Sequence, residues 1–224
     1  AVGFRGPFTF EINATNVGGR SSNATVTVNV GDPVLAASVP VGTGTVGVAY
    51  SQQVTISGGT GPYSNFSATG LPDGLTISSS GLISGTPTSA GTFASVVVTA
   101  TDSSTGSGPF TGAAAAFGLT IGQAAQTITF TSTAPTAAVA GGSTYTLSAT
   151  GGASGKPVIF FVDRISANVC TVSGTIVSFV GMGTCVVWAS QEGDTTYSRA
   201  EDKAQKFEVG QGSQVITFTS SAPS

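Results

Sequence analysis

The chain has no histidine, and only 17 of its 224 side chains are charged at neutral pH, ten acids against seven bases. Without histidine the usual catalytic triads, most zinc sites and the commonest general base are excluded. Between Asp32 and Gly122 there is no lysine or arginine at all. A protein that neutralises phosphates needs clustered cations, so a nucleic acid partner is excluded, and docking on an anionic membrane surface with it. No run approaches 18 consecutive apolar residues; the nearest, GAAAAFGL at 112–119, is far too short to span a bilayer. Helix formers are scarce, with few Glu and Lys and one Met.

What the chain does have is Thr, Val, Ser and Ala in long runs, punctuated by 32 glycines and ten prolines. β-branched side chains suit a pleated surface, while Gly and Pro break it into turns. The fold class expected is all-β.

Repetition sets the organisation. QTITFTSTAPT at 126–136 returns as QVITFTSSAPS at 214–224, an offset of 88 residues with eight of eleven positions identical. That period matches one sandwich of about seven strands. Residues 212–224 are therefore expected to be the first strand of a following module. PFTFEINATN (7–16) and ATVTVNV (24–30) form a candidate hairpin around a VGGRSS turn. Two strands cannot bury a core alone, so 1–31 are expected to be the C-terminal strands of a preceding module. Two whole β-sandwiches lie between, at 32–123 and 124–211. In the second, strands are expected at 126–131, 143–149, 157–162, 169–172, 175–180, 184–189 and 204–209. With Ala at its start and no basic, apolar leader, the chain reads as a mature or excised piece of a longer repeat protein.

Residues 70–103, GLPDGLTISSSGLISGTPTSAGTFASVVVTATDS, closely resemble the putative-Ig modules, related to the cadherin-like repeats of dystroglycan, that stand in tandem in large bacterial surface proteins. The second module, through CTVSG (170–174), Val177, Phe179, Gly181, Gly183, Thr184-Cys185, Ala189, Gly193-Asp194, Tyr197 and Phe207, resembles a different, Cys-containing Ig-like repeat of the same class. Met182 and Trp188 stand where smaller residues are the rule. The resemblance implies tandem immunoglobulin-like β-sandwiches in an extracellular array, a stalk or adhesin, with no single ligand implied.

Cys170 and Cys185, in a chain of this kind, are expected to form a disulfide. If 169–172 and 175–180 are a hairpin in one sheet and 184–189 starts in the other, the cysteines meet across the sandwich. In a single sheet they would flank a middle strand, too far apart to bond. Glu192/Asp194 and Glu201/Asp202 are paired acids, but Arg199 and Lys203 are interleaved, which reads as a solvated loop rather than a glycosidase cleft. The chain is thus expected to be no enzyme. A Lys–Asn isopeptide bond would have to use Lys156, Lys203 or Lys206; Lys156 starts the apolar strand KPVIFFV, but surface placement is the expectation for it. No cofactor is expected. Calcium, which cadherin-like modules bind at junctions, finds Asp32 and Asp102 isolated, with no DxD run; a Ca²⁺ site is expected at a module boundary if anywhere.

Trp188, in the alternating strand CVVWAS, is the candidate ligand contact, set against the plainer role of core or sheet-surface residue. Asn13, Asn23 and Asn65 fit the N-x-Ser/Thr glycosylation pattern. The partners expected are neighbouring modules of the same long chain, adjacent copies, or a host or surface glycan or protein. Three functions compete: a spacer or adhesive segment of a bacterial surface protein; a carbohydrate-binding accessory module of a secreted enzyme; and a subunit of an extracellular fibre or phage appendage.

Overall fold

Alternating Val and Thr, interrupted every few residues by Gly or Pro, leave the backbone no option but short strands that must find partners for their N–H and C=O groups. The computed structural model describes residues 2–3, 5–39 and 42–219, and every regular element among them is a strand. The chain divides into two units, Ala1–Gln123 and Ala124–Ser224.

Unit 1 opens on Val2–Gly3, which runs parallel to Thr105–Gly106, and continues as a hairpin, Gly6–Thr15 against Ser21–Val30, in unbroken antiparallel register from Gly6↔Val30 to Thr15↔Ser21. Its turn is tighter than the expected VGGRSS because the Asn16 side chain closes it: Oδ1 accepts from the N–H of Gly18 (2.9 Å) and of Arg20 (3.2 Å). The second strand consequently starts at Ser21 rather than 24. Phe8, Phe10 and Ile12 stand opposite Val28, Val26 and Ala24 on one face, and Phe10 and Ile12 are half exposed.

The remainder of unit 1 is a two-layer sandwich. One sheet holds Tyr50–Gln53, Leu82–Gly85 and Leu75–Ile77; the other is built around Gly91–Thr101, which pairs with Ser64–Thr69, Thr111–Ala113 and Phe117–Gly122, the last running parallel to Thr43–Thr45. Tyr50, Leu75 and Ile83 from the first sheet meet Val96, Val98 and Leu119 from the second in one buried cluster. The LPDG and SGTP segments lock together at the rim. Gly74 (φ 86°) and Gly85 (φ 137°) are both in the region closed to L side chains. A Cβ on Gly74 would lie 2.0 Å from the Thr86 carbonyl oxygen, and one on Gly85 2.1 Å from that of Gly74. Gly74→Ala is therefore expected to destabilise unit 1 by about 2 kcal/mol, read as a lowered first melting transition. A shift too small to measure would refute this account of the motif.

Unit 2 places Val158–Val162, Gly183–Gln191 and Lys203–Gly210 in one sheet, with Ala138–Val139 added parallel to its far edge. Tyr145–Thr146, Ile176–Phe179 and Cys170–Ser173 form the facing sheet. Two expected strands are shorter than the sequence suggested. The 143–149 run changes partners midway: Tyr145–Thr146 pairs with Ile176–Phe179, whereas Ala149–Thr150 pairs with Thr129–Phe130. For the same reason 126–131 keeps only Thr129–Phe130 as regular strand. The core joins both sheets through Leu147, Val177, Phe179, Val187, Phe207 and the two cysteines. Phe207 is held edge-on by Phe179 at 5.9 Å and by Tyr145 at 5.8 Å between ring centroids.

The strand expected at 212–224 does not form in the described part of that segment. Residues 211–219 have no ladder partner, and a lone extended segment has nothing to satisfy its backbone. Residues 220–224 lie outside the described residues.

Candidate functional site

The local reason for the disulfide is the crossing at Gly181-Met182-Gly183. Val172↔Val177 and Cys170↔Phe179 zip the Cys170–Ser173 strand to Ile176–Phe179 in the three-stranded sheet. The chain then crosses, and Cys185 enters the four-stranded sheet opposite Phe207. Cys170 and Cys185 thus face each other across the sandwich, bonded with Cα atoms 5.8 Å apart, and both are fully buried. Ser166 guards this end: its carbonyl accepts from the Cys170 N–H (3.0 Å), and its hydroxyl oxygen accepts from the Val186 N–H (3.1 Å).

Strand alternation turns Cys185, Val187, Ala189 and Gln191 inward, and so turns Trp188 outward, where it is half-buried. It pairs with Phe161 on one side and Ala204 on the other. Phe161 and Ile159, on the same outer face, are 40% and 57% exposed. The Ser166 backbone N–H (2.8 Å) foremost, with the Ser166 hydroxyl and the Trp188 indole contributing less, holds Asp163 below the usual carboxylate range. Trp188 is therefore an aromatic surface on the outer sheet face, not a core residue. Met182 is 60% exposed.

The paired acids do not converge on a cleft. Arg199 sits between Glu192 (3.2 Å) and Asp202 (2.7 Å) and also donates to the Ser190 hydroxyl. Lys203 pairs with Glu201 at 2.7 Å, which lowers the pKa of that carboxyl. Asp194 Oδ1 accepts from the N–H groups of Thr196 and Tyr197, both at 2.7 Å, and this turn holds its pKa down. Lys156 and Lys206 are exposed and Lys203 is half-buried. Asn13, Asn23 and Asn65 are all exposed, the first two directly opposite each other in the hairpin.

Asp102 is the most enclosed acid of unit 1, 2% exposed. Oδ1 accepts from the Phe110 N–H (2.8 Å) and from the Ser104 hydroxyl (2.8 Å) and N–H (3.2 Å); Oδ2 accepts from the Thr60 N–H (3.1 Å). Four donors, the Phe110 N–H foremost, hold its pKa below the ordinary value. Its oxygens thus face donors, whereas a cation needs free lone pairs, and Asp32 is ion-paired with Arg5. Among the described residues no three His, Cys, Asp or Glu side chains gather as metal ligands. Because the folded pKa of Asp102 is depressed, its contribution is present at neutral pH and is lost as pH falls below about 4. Unit 1 is expected to lose melting temperature in that window, and Asp102→Asn to be less stable at pH 7 with a flatter acid limb. An acid limb identical in both proteins would refute the assignment.

Two buried amides were invisible to the sequence reading. Gln126 donates to the Glu192 carbonyl (3.0 Å) and accepts from the Ser154 N–H (3.1 Å). Gln191 accepts from the Gly152 N–H (2.7 Å) and donates to the Lys156 carbonyl (2.7 Å). Together they pin the 151–156 loop. A groove of about 450 Å³ opens beside it, lined by Leu147, Val158, Phe160, Lys156, Thr175 and Gln191. The Gln191 amide is already engaged with the loop backbone, so it is not turned to a ligand there.

Among known families, the one whose model matches is the Putative Ig domain, over residues 32–121. No curated protein matches the chain. Among solved structures, four extracellular domains of Drosophila N-cadherin are similar at 12% identity and a TM-score of 0.40, over 95% of this chain and 59% of that one. The fibronectin(III)-like modules of Clostridium thermocellum CbhA are similar at 14% identity and a TM-score of 0.31, over 81% and 100% of the two chains. The D00-D0 domain of intimin is similar at 15% identity and a TM-score of 0.31, over 76% and 98%. The chain spans less than two thirds of the N-cadherin chain. Residues 32–121 form an immunoglobulin-type domain, and every regular element among the described residues is a strand, with a disulfide in the second sandwich.

Proposed function

We propose that this chain is a non-catalytic spacer and adhesive segment of a large extracellular bacterial surface protein. The observation that carries the reading is that each unit has its own buried two-sheet interior, one around Ile83 and Leu119 and one around Val187 and Phe207. Modules of that kind add reach without adding chemistry. The 88-residue return of the first-strand sequence supports a tandem array, and the apolar face of the 6–30 hairpin supports its belonging to a neighbouring module. The buried disulfide supports an oxidising, extracellular setting. In sedimentation and binding experiments the chain is expected to be a monomer with no bound small molecule. Catalytic turnover would sink the proposal.

A second reading has one observation of its own. Trp188, flanked by exposed Phe161 and Ile159 on an outer sheet face, is a surface on which a sugar ring can stack. If the chain is instead a carbohydrate-binding module, glycan-array binding is expected and Trp188→Ala abolishes it while unit 2 still melts cooperatively. Equal binding by both proteins would remove Trp188 as the contact.

A further inference from the structure

Before Lys156 the chain carries two basic side chains, Arg20 at the hairpin turn and Arg5 at the hairpin base. The Arg5 guanidinium forks onto Asp32, Nε donating to Oδ1 and Nη2 to Oδ2. Its central carbon stands over the Phe110 ring, 5.6 Å from the centroid. The Arg5 backbone N–H donates to the Ser107 hydroxyl (3.3 Å), and Val2–Gly3 just before it pairs with Thr105–Gly106. Asp32 follows the second hairpin strand, which ends at Val30, and so lies in the linker to the sandwich. Ser107 and Phe110 lie between Gly91–Thr101 and Thr111–Ala113, in a loop of the sandwich itself. One residue thus holds the hairpin base, the linker and that loop together.

The loop is anchored in its turn. The Phe110 N–H and the Ser104 hydroxyl both donate to the enclosed carboxylate of Asp102, so the ring is presented to Arg5 from a held position. An exposed ion pair alone contributes little. Here the fork fixes the direction of approach, and the ring adds a second attraction for the same cation. Lysine cannot make the fork. The Arg5 and Asp32 side chains are 57% and 47% exposed, so dissolved salt reaches the pair. Past the hairpin, unit 1 has no lysine or arginine with which to form another such contact.

We propose that Arg5 is a clasp that docks the base of the 6–30 hairpin on the 102–110 loop of the sandwich, with the Asp32 carboxylate and the Phe110 ring as its seat. The joint between hairpin and sandwich is then stiff at low ionic strength and loosens as salt is raised. This inference goes beyond the spacer reading and does not need it: the clasp acts on the joint whatever the joined modules serve.

Hydrogen exchange on the full chain tests it, read at the Arg5 N–H and residues 104–110, with residues 96–100 of the sandwich interior as the control. Arg5→Ala is expected to speed exchange at the joint about tenfold and to leave the control protected. Asp32→Asn is expected to do the same in part, and the double variant to exchange no faster than Arg5→Ala, because both changes release one contact. Arg5→Lys should fall between the wild type and Arg5→Ala. Molar salt should bring the wild type toward Arg5→Ala and leave Arg5→Ala where it is. Joint exchange unchanged in Arg5→Ala overturns the proposal, and so does a wild type indifferent to salt. Two single effects that simply add would separate Arg5 from Asp32 and overturn it too. Loss of protection in the control as well would make Arg5 a support of the whole sandwich rather than of the joint, which also refutes it.

Discussion

Replacing Cys170 and Cys185 with alanine is expected to lower the stability of unit 2 by about 3 kcal/mol, roughly 10–20 °C in melting temperature for a domain of this size. The bond closes a 15-residue separation, so its loss frees that loop in the unfolded chain. It also removes the side-chain covalent link between the two sheets of unit 2. The melting transition of unit 1 is expected to stay where it was, since both cysteines lie in the second interior. Calorimetry on the two proteins, with the wild type repeated under reductant, reads the result. A fall of only a degree or two would mean that the sandwich is held at that end by Ser166 and Phe207 alone.

The disulfide was legible because two separate sequence signals agreed. The CTVSG turn places Cys170 and residues 175–180 in one hairpin, and Gly181-Met182-Gly183 supplies the chain reversal that carries Cys185 into the opposite sheet. Strand positions of unit 2 were legible for a similar reason, as alternating Val, Ile and Phe between turns mark where a pleat can bury one face. Strand partners were not. The 143–149 run alternates without interruption, so nothing local tells that Thr146 belongs to one sheet and Ala149 to a pairing with Phe130. Ala138–Val139 was missed altogether because two small residues in a loop carry no periodicity. What makes them a strand is the free edge of Lys203–Gly210.

The site residues divide along the same line. Alternation in CVVWAS leaves Trp188 either inside or outside, and the inward register of Cys185 decides for outside. Asp102 was readable as an isolated acid, whereas its enclosure by Thr60, Ser104 and Phe110 depends on long-range folding of three loops. The roles of Gln126 and Gln191 were hidden because an amide gives the same sequence signal on a surface as in a core. The repeat nevertheless carries one clue to Gln126, since Gln214 matches it where Thr127 and Val215 differ.

The second large effect concerns the interior of unit 1. Ile83→Ala is expected to cost 2–5 kcal/mol, the range for deleting a buried branched side chain with its cavity unfilled. Ile83 is completely buried, between Tyr50 and Leu75 of its own sheet's layer and Val96, Val98 and Leu119 of the other. Two outcomes are then distinguishable by calorimetry. If each module holds itself together, the first transition drops by several degrees and the second does not move. If the transitions fall together, the interiors around Ile83 and Val187 melt as one block. A stalk made of self-supporting modules would then be the wrong description of this chain, however well the fold of each module is understood.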